Sequence, residues 1–183
     1  MSEKIANPGA LGLAGFALTT FLLSFINAGI LDPTNLGVVL GMAFFYGGLA
    51  QVLAGMWEFK TGNIFGATCF TSFGSFWMGL ALLKVLEAAG IIAVVPAAGL
   101  AVFLVAWGLF TLYATFAAIK APKGLLILFI ALTITFFLLA AGEFSTGFKL
   151  AGGYLGILVA LIAWYDSAAI LINEMYGRKV LPL

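Results

Sequence analysis

The sequence predicts an all-α, polytopic membrane protein with six transmembrane helices surrounding a narrow pore. Three observations predict it. Of 183 residues, 64% are apolar and 8% are charged, whereas a soluble domain carries about 25% charged residues. Too few polar groups remain to cover a water-facing surface, so lipid must be the solvent for most of it. No Asp, Glu, Lys or Arg occurs at 5–31, 33–57, 61–83, 88–119 or 124–142, and a sixth apolar stretch, 150–173, is interrupted only by Asp166. A spanning helix needs about 20 residues. Outer-membrane strands would instead alternate in segments of about 10, and these stretches are apolar on all faces.

The expected spans are 9–30, 36–57, 65–84, 96–119, 124–142 and 151–174, within a single transmembrane domain covering 1–183. Asn7-Pro8 opens the first: Asn caps, and Pro is tolerated at the first helical position. Asp32-Pro33-Thr34-Asn35 makes the turn before the second. Thr61-Gly62-Asn63 signals the start of the third. Pro96 opens the fourth and Pro122 precedes the fifth. No small-x-small cleavage site follows the N-terminal residues, so no removable signal peptide is expected.

With the N-terminus inside, six basic residues (Lys4, Lys60, Lys120, Lys123, Arg178, Lys179) face two on the other side (Lys84, Lys149). The positive-inside rule then places both termini in the cytoplasm of a cell membrane, plasma or inner.

Composition excludes several functions. There is no His and one Cys, Cys69. That removes His-based triads and metal sites and any intramolecular disulfide. Cys69 is expected to be a buried, inert thiol. No clustered carboxylates or nucleophile–base pair suggest an enzyme, and no cofactor is expected. No basic cluster suggests nucleic acid. Passage of a small solute is the favoured reading; a membrane protein that carries no flux fits the Gly-rich faces equally well.

Of 23 glycines, Gly41, Gly48 and Gly55 recur every seven residues, and Gly37-x3-Gly41, Gly62-x3-Gly66 and Gly152-x3-Gly156 are small-xxx-small pairs. Such spacing allows close approach of helices, within a protomer or between protomers. Gly12-Leu13-Ala14-Gly15-Phe16 also echoes Gly99-Leu100-Ala101-Val102-Phe103. Two three-helix repeats would be inverted relative to each other, a frequent transporter plan.

Polar residues at membrane depth are costly and therefore informative. Gln51 lies in the second span. Thr19, Thr20, Ser24 and Asn27 lie in the first, and Thr68, Thr71, Ser72 and Ser75 follow the start of the third. That last set could offer hydroxyls to an anion near a helix N-terminus, or bond between helices. Asp166, the one charge well inside a span, is a candidate proton-coupling group. Glu58 and Lys60 read as ordinary interfacial charges.

Several segments resemble the acetate uptake transporters, the succinate–acetate permease group. They are Asn7-Pro8-Gly9-Ala10-Leu11-Gly12-Leu13, Phe45-Tyr46-Gly47-Gly48-Leu49-Ala50-Gln51 with Ala54-Gly55-Met56-Trp57-Glu58, and Gly62-Asn63-Ile64-Phe65-Gly66-Ala67-Thr68 running into Phe70-Thr71-Ser72-Phe73-Gly74-Ser75-Phe76-Trp77. Asn173-Glu174, Tyr176-Gly177-Arg178 and Leu181-Pro182 complete the set. Ala10 replaces a proline of the family pattern. The resemblance implies a homohexamer in a lipid bilayer, with a path through each protomer for acetate, related monocarboxylates or succinate. It implies a constriction of Phe16, Phe73 and Leu132, where Phe73 stands in place of a usual Tyr and lacks its hydroxyl. Ala163 matches a small residue that shapes substrate choice. Leu13, Thr20, Gln51, Asn63, Thr71 and Ser72 are the expected substrate contacts. Asp166 lies outside the family pattern. A channel for a neutral solute such as urea or ammonia is the competing transport reading.

Overall fold

A computed structural model describes residues 5–183. Lys4, one of the six residues in the inside charge count, lies outside the described residues. Among the described residues, six helices are long and apolar enough to cross a membrane: α1 (Gly9–Asn27), α2 (Pro33–Thr61), α3 (Ile64–Ala88), α4 (Ala97–Ala118), α5 (Lys123–Gly142) and α6 (Thr146–Tyr176).

The helix starts follow the sequence signals. Asn7 Oδ1 accepts from the Gly9 N–H at 2.9 Å. Asp32 Oδ1 accepts from the Thr34 backbone N–H at 2.9 Å and from the Thr34 hydroxyl at 2.7 Å. These two bonds, the hydroxyl first, hold the Asp32 carboxyl below its ordinary value. Asn63 Oδ1 accepts from the Gly66 N–H at 3.1 Å and caps α3, satisfying one of the orphan donors of a first turn.

The helix ends differ from the charge-free windows. The first expected span stops at Asn27 rather than residue 30, because Gly29 takes φ +70° and the Ile30 N–H turns back to the Phe25 carbonyl at 3.0 Å. This left-handed C-terminal turn favours a residue without a Cβ. α2 runs on through Glu58 and Lys60 to Thr61, and α6 begins before Lys149, at Thr146. A charge near a helix end does not stop a helix, since long side chains reach the interface.

Helix α2 is not uniform. Phe45–Ala50 winds as a π-helical turn. A Cβ on Gly15 would collide with the Tyr46 carbonyl oxygen, and one on Gly47 with the Thr19 side chain. Close approach of α1 therefore requires glycine on both helices. A π turn inserts an extra residue and rotates everything after it. Gln51, the first residue beyond, is turned fully inward, 1% exposed.

The helices pack in chain order as a closed ring: α1 on α2, α2 on α3, α4 on α5, α5 on α6, and α6 back on α1. The backbones of α3 and α4 touch least. Aromatic rings fill that seam, with Phe76 5.6 Å from Phe103 and 5.2 Å from Trp107. α1–α3 and α4–α6 occupy the two halves of the ring, the layout that a pair of three-helix repeats requires.

The glycines divide by use. Gly48 and Gly55 abut α3, through Gly74 and Thr71 respectively, and Gly152 and Gly153 abut Leu139 and the backbone at Asn27–Ala28. Gly37 and Gly41 have open space beside them, with none of the described residues packed where a Cβ would stand.

Candidate functional site

Two cavities enter the ring from opposite ends. The first, about 240 Å³, lies toward Asn7, Glu58, Asn63 and Pro122. The second, about 290 Å³, lies toward Asn27, Pro33, Lys84 and Lys149. Phe16 and Leu132 line both. Two side chains, from α1 and α5, therefore separate the cavities.

Phe73 reinforces this junction from α3. Its ring centroid is 5.8 Å from that of Phe16. It meets Phe110 edge-on at 5.3 Å and stacks on Phe136 at 6.4 Å. Phe16, Phe73 and Leu132 are each 5% exposed or less. Offset and edge contacts of this kind add about 0.5–1.5 kcal/mol per pair beyond burial, so the plug is well braced.

The polar groups around the cavities are of two kinds. Buried polar atoms nearly always find a partner, and those that do not mark places where something else can bind. Among the described residues, the unpartnered atoms in the second cavity are Thr20 Oγ1 and Trp77 Nε1, and Lys84 and Lys149 also line it. In the first cavity they are Gln51 Oε1 and both Asp166 carboxylate oxygens. The unpartnered atoms of the second cavity thus include an indole N–H and a hydroxyl, beside Lys84, Lys149 and Glu143, whereas those of the first are acceptor oxygens.

Expected site residues sort accordingly. Leu13, Gln51, Asn63 and Asp166 line the first cavity and Thr20 the second. Ser24 and Asn27 join Thr20 there, but Thr19 donates back to the Gly15 carbonyl at 3.0 Å. Thr71 and Ser72 line neither cavity. Thr71 Oγ1 faces Gly55 of α2, while Thr68 and Ser75 are exposed. The cavity-facing stripe of α3 is Phe65, Cys69, Phe73, Phe76 and Trp77, one turn apart as a helix face demands. The α3 hydroxyls therefore sit away from the path. Ala163 is fully buried in the core and borders neither cavity. Cys69 is buried and lines the first.

Glu58 is not an interfacial charge. It is 3% exposed and lines the first cavity. Its Oε2 accepts from Asn63 Nδ2 at 2.9 Å and from the Thr61 hydroxyl at 3.2 Å. The cause is Gly62, whose φ of +79° reverses the chain and folds the start of α3 against the end of α2. The carboxylate thus sits at the positive end of α3. The signal in sequence was the Glu58-x2-Thr61-Gly62-Asn63 spacing. Lys60 is exposed, its ammonium 5.9 Å above the Trp57 ring.

The family model described as the GPR1/FUN34/yaaH family matches residues 1–180. The chain belongs to the GPR1/FUN34/yaaH family. Within it, the chain is similar to the succinate-acetate/proton symporter SatP of Escherichia coli K12, 41% identical over 184 residues, which are 100% of this chain and 97% of that one. It is also similar to the ammonia transport outward protein 2 of Saccharomyces cerevisiae, 42% identical over 174 residues, 91% of this chain and 62% of that one. Among solved structures, it superposes on the bacterial acetate channel SatP with a TM-score of 0.95 and 40% identity, over 98% of this chain and 99% of that one. The six-helix GPR1/FUN34/yaaH fold and its position in a membrane, rather than in solution, follow from these likenesses together with the apolar helices.

Proposed function

We propose that this chain moves small monocarboxylates, chiefly acetate and also succinate, across a cell membrane. The observation that carries the reading is the pair of opposed cavities that share Phe16 and Leu132 in their linings. Similarity to SatP supports the choice of solute.

A carboxylate enters the second cavity, where Lys84, Lys149, Thr20 and Trp77 offer donors. It sheds most of its water there and passes the Phe16, Phe73 and Leu132 constriction, which excludes larger solutes and gates by dewetting. It leaves through the first cavity past Gln51 and Asn63. The first cavity faces the cytoplasm, as the charge asymmetry of the loops favours, and both termini lie on that side. Residues 1–183 act as one transmembrane domain, and the open Gly37 and Gly41 face is suited to contacts within a homohexamer. The chain is a transporter and not an enzyme.

A second reading, a channel for a neutral solute such as ammonia or urea, draws on the yeast relative and on the largely apolar walls. Competition separates the two. Labelled acetate uptake into proteoliposomes should be inhibited by unlabelled acetate and succinate and unaffected by urea or ammonium. Inhibition by urea or ammonium with indifference to succinate would favour the neutral-solute channel.

A further inference from the structure

Helix α6 stops at Gly177, whose φ of +62° takes the left-handed turn that suits a residue without a Cβ. The Gly177 N–H donates to the Glu174 carbonyl at 3.2 Å, and the chain doubles back along the helix it has just left. Asn173 holds the returning segment. Its Oδ1 accepts from the Val180 N–H at 2.7 Å and from the Leu181 N–H at 2.9 Å, and its Nδ2 donates to the Leu181 carbonyl at 2.8 Å. One side-chain amide, with a donor and an acceptor end, thus satisfies three backbone groups. About two turns earlier on α6, the Tyr165 hydroxyl donates to the Pro182 carbonyl at 2.8 Å.

This order of bonds, Asn173 first and Tyr165 next, runs the segment back along α6 and brings Leu183 into the lining of the first cavity. Leu183 is 40% exposed, whereas Phe16 and Leu132 at the plug are 5% or less. Leu183 therefore stands at the rim. Pro122, Leu125 and Ile170 line the same cavity, so the hydrocarbon end of a small acid finds apolar neighbours there. Four side-chain hydrogen bonds at exposed or half-buried positions tie the segment down. A segment held in this way opens locally far more readily than a packed helix.

We propose that residues 178–183 form a strap across the mouth of the first cavity, and that Leu183 sets the width of that mouth for an acid in transit. This rests on the transport reading above and adds a movable restriction to the fixed aromatic plug. Gly177 is the hinge and Asn173 the catch. With the catch closed, Leu183 narrows the mouth; with it released, the mouth widens and longer acids pass more easily.

Cys69 reports on the mouth without any cargo. It is the one thiol of the chain and lines the same cavity. Glu58 and Asp166 line that cavity too, so aminoethyl methanethiosulfonate, a small cation, is admitted at the mouth and stopped by the apolar plug. Its rate of reaction with Cys69, followed by mass spectrometry on folded protein, should be slowest in Leu183→Trp and faster in the wild type. It should be several-fold faster again in Leu183→Ala and in Asn173→Ala. A merely loosened fold would speed every variant, so the slowing in Leu183→Trp is the arm that a structural role does not produce. In proteoliposomes, Leu183→Trp should carry labelled acetate more slowly, and Asn173→Ala should raise butyrate uptake relative to acetate. Any other order of Cys69 rates, or acetate uptake undiminished in Leu183→Trp, overturns the proposal. The expected order in a wild type that carries no acetate would uphold the strap while refuting acetate as the cargo.

Discussion

The Phe16 and Phe73 rings lie 5.8 Å apart, tilted at 53°, at the level where the two cavities meet. Neither ring carries a hydroxyl. Substituting Phe73→Tyr would add one donor beside the constriction without much change in volume. The expected result is a changed acetate affinity or rate in an uptake assay. Identical KM and rate in the variant would count against a role for residue 73 in the path.

Removing the Phe73 ring is a different matter. It touches Phe16, Trp107, Phe110, Phe129 and Phe136. Phe73→Ala should cost about 3–5 kcal/mol of stability, the usual range for emptying a buried aromatic site, and should admit longer acids such as butyrate. A protein of unchanged thermal stability would mean the ring is not braced as described.

The approach of α1 to the π turn leaves no room beside Gly15, where a methyl would meet the Tyr46 carbonyl. Gly15→Ala should destabilise the protein by about 1–3 kcal/mol, as overpacking does, and should lower transport because Gln51 follows that turn. Thermal unfolding in detergent measures the first effect. An unaltered melting temperature would show that the turn yields freely.

Glu58 accepts from Asn63 and Thr61 at the start of α3. Glu58→Ala should leave Asn63 Nδ2 without that acceptor and cost about 1–3 kcal/mol. Amide hydrogen exchange over the first turn of α3 should quicken. Exchange at the wild-type rate would rule out a structural part for this carboxylate.

Asp32 supplies the pH-dependent case. Its folded-state value lies below the unfolded one because Thr34 donates to it twice. Its contribution to stability is therefore present above the unfolded value and is lost as pH falls through the folded value. Asp32→Ala should melt earlier than wild type near neutrality, with the gap closing in acid. A gap independent of pH would show that the ionised cap contributes nothing.

The spans were legible because a charge is expensive in lipid and its absence over 20 or so residues is hard to produce by chance. The start of α3 was legible because Asn63 follows a glycine. The plug residues Phe16, Phe73 and Leu132 came from likeness to a known family, since no spacing distinguishes a Phe that fills a pore from one that fills a core. Burial of Glu58 is carried in the sequence only by the Glu58-x2-Thr61-Gly62-Asn63 spacing, because it depends on a chain reversal at Gly62 that returns Asn63 to it. The π turn was hidden as well: Gly47 and Gly48 read as small packing residues, and only the approach of Gly15 and Thr19 from α1 explains them. Thr71 and Ser72 line neither cavity, and the contact of Gly55 with Thr71 turns Thr71 toward α2, an orientation that spacing alone does not give.

The central claim is that a carboxylate crosses between the two cavities at Phe16 and Leu132. Labelled acetate uptake into proteoliposomes of wild type and Leu132→Trp tests it most directly. Uptake above empty liposomes in the wild type, falling to the empty-liposome level in a Leu132→Trp protein that remains folded, is the predicted result. Wild-type uptake no greater than empty liposomes, or undiminished uptake through Leu132→Trp, would contradict it.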